Sequence, residues 1–397
     1  MNAAIQITNM KIKTLPCTLG LALLALSSAI HQTNAAEPLN TWSARTSPYG
    51  STNTWQAIVY GGGRFVTVGT RGQAAISTNG TDWSPGGANT LRTLYGLAYG
   101  NGAYVAVGAS GVVFTSSDGT TWSPQNTDTS AHLYHVNYGN GLFVAVGSGG
   151  TVLSSPNGIT WTPRGNGATN QWEACAFGNG TQVLVGYRTQ SPGSYTRSGA
   201  APGLSNWDVR DTGASYYLSG LTFGAGKFVA CGYAGTVQSS TNGVNWTSPT
   251  NAGNAWLNFT TYDHNTFMAV GEMGVIKSST NGVNWTNRYA LSGATLNGIA
   301  YANNTWVAVG NSSRILQSDP LTAAAIPTQP LLTEAVKVGS VFSFKFNGSI
   351  GQTYQVQAST NLTSWTTLTN IVCTNSPTSC VLGGQTMPKR FYRVFKP

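Results

Sequence analysis

One unit recurs along most of this chain. A Val-Gly pair or its equivalent ends an apolar run at Gly69, Gly108, Gly147, Gly186, Gly232, Gly271 and Gly310, spaced by 39 residues at every step except one of 46. A unit of that length cannot bury both of its faces alone, so consecutive copies must stack against one another. Each copy divides into four strand-like pieces separated by turn residues. In the second, Tyr95-Gly96-Leu97-Ala98-Tyr99 turns at Gly100-Asn101-Gly102 into Ala103 to Val107; Val112 to Thr115 follows, and a fourth piece begins near Trp122 after Asp118-Gly119. Asn-Gly and Asp-Gly suit tight hairpins because these require residues at positive φ. With charged residues at only 8% and 49 glycines, the composition favours short strands and turns over long solvated helices. The pattern predicts an all-β fold, a seven-bladed β-propeller.

The last repeat, Leu296 to Gln317, contains three strands and no Trp-bearing fourth before Pro320. The missing piece is expected at the other end of the chain, where Thr41-Trp42-Ser43 matches Thr121-Trp122-Ser123 and Thr160-Trp161-Thr162. An N-terminal strand completing the last blade would remove two free sheet edges. The expected organisation is a signal peptide over residues 1–36, the propeller over 37–322, a linker over 323–330 and a C-terminal β-sandwich-like module over 331–397.

A second marker keeps the same period. Ser77-Thr78-Asn79-Gly80-Thr81-Asp82-Trp83 returns as Ser116-Ser117-Asp118-Gly119-Thr120-Thr121-Trp122 and from Ser239 to Trp246, a form that Ser278 to Trp285 repeats almost unchanged. The pattern Ser-x-Asp/Asn-Gly-x-x-Trp resembles the Asp-box, or BNR-type, hairpin of sialidase-like and photosystem II stability-factor-like propellers, with one residue fewer before the Trp. The resemblance covers residues 41 to 320 and implies the fold, with the turns in a structural role. A sialidase would also need an arginine cluster, a Tyr nucleophile paired with a Glu, and an acid/base Asp. That constellation is not found, and no sialidase residue is carried over.

A ligand is expected at the channel mouth, formed by the connections between blades and the turns joining the second and third strands. Aligned on Tyr60, Tyr99, Tyr138, Phe177, Phe223, Tyr262 and Tyr301, the position four residues earlier holds Gln56, Tyr95, Tyr134, Glu173, Ser219, Asn258 and Asn297. All are polar or hydroxylated. Two residues before the aromatic the chain is apolar except at Thr260, so the strand face passes from core to opening. Trp55, Trp172, Tyr217 and Trp256 are read as exposed aromatics around this ring, with His132 and His135 beside Tyr134. Aromatics beside amides suit sugar rings. The expected ligand-binding residues are Gln56, Tyr95, Tyr134, His135, Trp172, Glu173, Asn258 and Asn297. Most of the seven-residue excess of the fourth repeat falls in Tyr187 to Tyr195, read as an extended loop beside Glu173.

Two enzymatic alternatives come from the same residues. A glycosidase needs two carboxylates, for which Glu173 and Glu272 are candidates; a polysaccharide lyase could draw on Tyr134, His135 and Glu173. No catalytic residue is assigned. Four histidines without recurrent ligand spacing argue against a metal site, and no cofactor is implied.

Lys11 and Lys13, an apolar run from Leu19 to Leu26 and small residues through Ala35-Ala36 read as a secretory signal. No later segment is long enough for a transmembrane span. The formal net charge of +9 is concentrated in the C-terminal tail, so the propeller lacks the basic surface that nucleic-acid binding requires. Cys373 and Cys380 flank a short turn and are expected to form a disulfide across a hairpin; Cys175 and Cys231 are expected as buried thiols. Gly351 to Trp365 and Arg390 to Val394 resemble a C-terminal β-module of secreted bacterial proteins, which implies attachment or accessory binding. The leading expectation is a secreted protein that binds carbohydrate or protein at the propeller mouth. An extracellular carbohydrate-active enzyme is the alternative.

Overall fold

The computed structural model describes residues 5–6, 38–165, 170–188, 191–200, 207–212, 216–248, 250–321, 332–338, 341–346, 352–359, 366–374, 378–382 and 391–395. The proposed signal sequence, apart from two residues, and the proposed linker lie outside them. Residues 34–321 form one compact unit, and residues 322–397 with 1–33 form another.

The larger unit is an all-β propeller. Six blades are each built from four consecutive antiparallel strands, A to D, and a further four-stranded sheet is composite. The A strands of blades one to six are Trp55–Gly61, Leu94–Gly100, Leu133–Gly139, Asn170–Gly178, Leu218–Gly224 and Leu257–Asp263. In the composite sheet Leu296–Ala302, Thr305–Gly310 and Ile315–Ser318 follow in order, and Trp42–Arg45 pairs antiparallel with the last, Trp42 opposite Ser318. The sequence predicts seven blades, the last completed by the N-terminal strand. The structure has six contiguous blades, and the final repeat supplies three strands of the composite sheet. Neighbouring A strands touch in sequence order, and Leu296–Ala302 returns to touch Trp55–Gly61.

In blades one, two, three, five and six the turn between strands C and D packs against the preceding sheet. In Ser116 to Trp122 the Ser116 Oγ accepts the amides of Asp118 and Gly119, Asp118 Oδ1 accepts those of Thr120 and Thr121, and Trp122 Nε1 donates to the Gly119 carbonyl at 3.0 Å. These bonds hold the Asp118 carboxyl below its ordinary range, the two backbone amides contributing most. Gly119 has φ +74, and a Cβ there would lie 2.6 Å from Val66 Cγ2 of blade one. The same contact recurs between Gly158 and Val105, Gly243 and Val183, and Gly282 and Val229. Gly102 also has positive φ, +76, but open space around it. Gly102→Ala is therefore expected to cost about 1–2 kcal/mol from backbone strain alone. Gly119→Ala should cost about 1–3 kcal/mol more through overpacking. Urea unfolding of the two variants measures the difference, and equal losses would remove the packing role.

In blade four, Thr181–Arg188 pairs with Ser191–Ala200 from Thr181 opposite Ala200 to Arg188 opposite Ser191. The expected long loop is thus a lengthened hairpin, since the added residues continue the ladder and satisfy their own backbone groups.

The smaller unit holds two sheets. One orders Leu332–Val338, Val341–Phe346 and Thr378–Leu382; the other orders Ile5–Gln6, Phe391–Phe395, Thr353–Ser359 and Thr366–Val372. Phe344, Phe346, Tyr354, Val356, Cys373, Cys380 and Val394 form its core. The two cysteines are not bridged. Ser379 and Cys380 pair with Lys345 and Phe344, while Asn370 to Val372 pair with Gln355 to Thr353, so the flanks read as one hairpin belong to different sheets. The Cys373 Sγ lies 2.9 Å from Thr378 Oγ1.

Candidate functional site

The recurring glycine at the end of strand B shapes the mouth. In blade one Trp55 pairs with Gly69 and Ala57 with Val68, leaving Gln56 as an extra residue, a β-bulge. The irregularity recurs at Tyr95, Tyr134, Glu173, Ser219, Asn258 and Asn297. The bulge turns the preceding carbonyl toward strand B, and a Cβ on Gly69 would sit 2.1 Å from Thr54 O. Gly108, Gly147, Gly186, Gly232, Gly271 and Gly310 face the same obstruction at 1.9–2.1 Å. The residue that sets the sequence period is the one the bulge demands. The bulged residues are the polar ring read from the sequence.

These residues gather around a cavity of about 270 Å³, lined by all seven of them together with His135, Trp256 and Phe259. Its floor is built across the channel. His135 of blade three and Phe259 of blade six approach to 6.2 Å between ring centroids, and both also line a second cavity, of about 390 Å³, on the far side. At that lower opening the aligned aromatics fill the gaps between blades: a Cβ on Gly61 would meet Tyr99 Cγ at 2.2 Å.

The ring divides chemically. Ser219 Oγ donates to Leu257 O at 2.8 Å, Asn258 Nδ2 to Leu296 O at 3.0 Å and Asn297 Nδ2 to Trp55 O at 2.9 Å. Each of these side chains clasps the next A strand, and Asn258 Nδ2 also reaches Asn297 Oδ1 at 3.3 Å. Trp256 Nε1 donates to Ser219 Oγ at 3.0 Å. The amide donors of Asn258 and Asn297 are therefore engaged in holding the ring. Among the described residues, the arc from Gln56 through Tyr95 and Tyr134 to Glu173 carries no such clasp.

On that arc Tyr95 and Tyr134 lie 5.7 Å apart, centroid to centroid. Glu173 accepts from Gln171 Nε2 at 2.6 Å. Burial raises the Glu173 carboxyl above its ordinary value, partly offset by that bond. The Tyr134 hydroxyl is raised by burial first and by the charge of Glu173 second. His135 Nδ1 accepts the Cys175 amide at 3.3 Å and lies 3.3 Å from Cys175 Sγ, so the neutral ring carries its proton on Nε2. Desolvation lowers its pKa to about 4.

Two expectations are corrected by burial. Trp55 and Trp172 are fully buried instead of exposed at the rim. Each precedes a bulge and turns back into the neighbouring sheet, Trp55 among Val309 and Ile315, Trp172 among Val144, Val146 and Val152. His135 belongs to the floor, where it is half-buried. Among the described residues the large exposed aromatics are Tyr216, Tyr217 and Tyr233, with Tyr187 4.4 Å from Tyr217 and Tyr233 5.2 Å from Trp256. Tyr216 and Tyr233 were not singled out by alignment on strand A because they lie before it and on the turn joining strands B and C. Glu272 is exposed on the corresponding turn of blade six and does not line the cavity. No group of metal-binding side chains occurs among the described residues, and no helix there is long and apolar enough to cross a membrane.

No protein-family model matches the chain, and no curated protein matches it. Solved structures do. "YCF48 bound to D1 peptide" superposes over 70% of this chain and 97% of its own, with a TM-score of 0.57 and 16% identity. YCF48 from Cyanidioschyzon merolae matches over 71% and 99%, with a TM-score of 0.57 and 16% identity. The WD40 propeller domain of Doa1 matches over 70% and 97%, with a TM-score of 0.58 and 8% identity. At these identities the likeness establishes the propeller fold.

Proposed function

We propose that this protein is a secreted, non-catalytic binding propeller whose mouth receives a short segment of a partner protein. The observation that carries the reading is the bulged ring: every A strand turns one side chain toward a common cavity, and among the described residues the arc from Gln56 to Glu173 is not drawn into clasps on the next A strand. At about 270 Å³ the cavity lies near the low end for small-ligand sites and fits one or two side chains. The peptide-bound YCF48 propeller lends support by analogy of fold. In this reading the composite sheet acts as a seventh blade, closed by the N-terminal strand, and the smaller unit is a sandwich-like accessory module.

The exposed tyrosines at the rim favour a second reading, a carbohydrate polymer stacked on Tyr217 and Tyr233. A glycosidase reading has less support, because Glu272 is not gathered with Glu173.

Peptide and glycan arrays probed with the full chain separate these readings. We expect peptide signal, reduced at least tenfold in Tyr95→Ala/Tyr134→Ala and retained in Asp263→Asn at the lower opening. Signal unchanged in the double variant would overturn the placement at the mouth, and signal on glycans alone would replace the partner class.

A further inference from the structure

Glu173 is a carboxylate placed where the fold gives it little reason to be charged. Among the described residues its one hydrogen-bond partner is Gln171, at 2.6 Å, and no Lys or Arg lines the cavity it borders. Even a half-buried carboxylate is costly without a cationic partner. Beside it are the ring faces of Tyr95 and Tyr134, 5.7 Å apart, and the cavity is further walled by Trp256 and floored by Phe259. Aromatic faces carry negative potential and attract ammonium and guanidinium groups. An isolated carboxylate among aromatic faces lacks one component, a positive charge of side-chain size.

We propose that the mouth cavity is a receptor for a basic side chain, the guanidinium or ammonium group of an arginine or lysine presented by a partner peptide, with Glu173 as its counter-ion and Tyr95, Tyr134 and Trp256 as its cage. This rests on the peptide-binding reading above and gives it a ligand class. The site selects against acidic segments, since it offers no cation and its histidine is held neutral.

The probes are Nα-acetyl-arginine methylamide and its citrulline counterpart, which has nearly the same shape and no charge, titrated against the full chain while Trp fluorescence and heat are followed. Arginine is expected to bind at least tenfold more tightly than citrulline. In Glu173→Gln this preference should vanish while the melting temperature rises, because the unpaired charge has been removed. A carboxylate that merely holds the blade together would instead lower the melting temperature when replaced, and that result overturns the proposal. Equal binding of the two probes, or no binding of arginine, also overturns it. In either case peptides captured on the array and lost in Tyr95→Ala/Tyr134→Ala would show that the broader mouth reading survives.

Discussion

Replacing Trp42 with Ala is expected to lower the unfolding free energy by about 3–5 kcal/mol, the usual loss for a buried Trp. The side chain is 8% exposed, packs with Met268, Trp306 and Leu316, and donates Nε1 to Leu39 O at 2.8 Å. Removing residues 38–46 altogether should be worse. The strand Ile315–Ser318 would lose its partner along four residue pairs and become a free edge. Denaturant unfolding and sedimentation measure the two effects. If the truncated chain unfolds at the same midpoint and stays monomeric, the N-terminal strand is dispensable to the sheet.

The second large effect is acid sensitivity. His135 has a folded-state pKa of about 4 against an ordinary value of 6.5, so the folded chain resists taking up a proton that the unfolded chain accepts. This stabilisation is complete above pH 6.5 and is lost as pH falls through the window down to about 4. At 1.36 kcal/mol per unit the full loss is roughly 3 kcal/mol. Glu173 works in the opposite sense, since its raised pKa favours the fold as pH falls. Comparing urea midpoints at pH 7 and pH 4.5 for the native chain and for His135→Gln isolates the histidine. A native chain no more acid-sensitive than the variant would show that the ring is not held neutral.

The propeller and its polar ring were legible because both depend on spacing. The strand-ending glycines mark the repeat, and counting from the aromatic to Gln56 and its counterparts crosses no irregularity. The two tryptophans were misplaced because the bulge lies between them and the counted positions. Trp172 adjoins Glu173 in sequence, yet it pairs with Gly186 and turns into blade three, so simple alternation misjudged its surroundings. The floor had no signature at all: His135 and Phe259 meet only because closure of the ring brings blades three and six across from each other. The expected disulfide failed for a related reason. Two strands flanking a short turn need not pair, and here each is claimed by a different sheet.

The pairing of Trp42–Arg45 with Ile315–Ser318 also sets a schedule for the ring's birth. The first strand of the larger unit to leave the ribosome must wait for nearly the last of the repeats, tens of seconds at about 5–20 residues per second. Throughout that interval the earlier blades can assemble in order, but the tryptophan that will complete the composite sheet has nowhere to dock. Factors that shield a nascent apolar strand would therefore have their longest opportunity at this end of the chain.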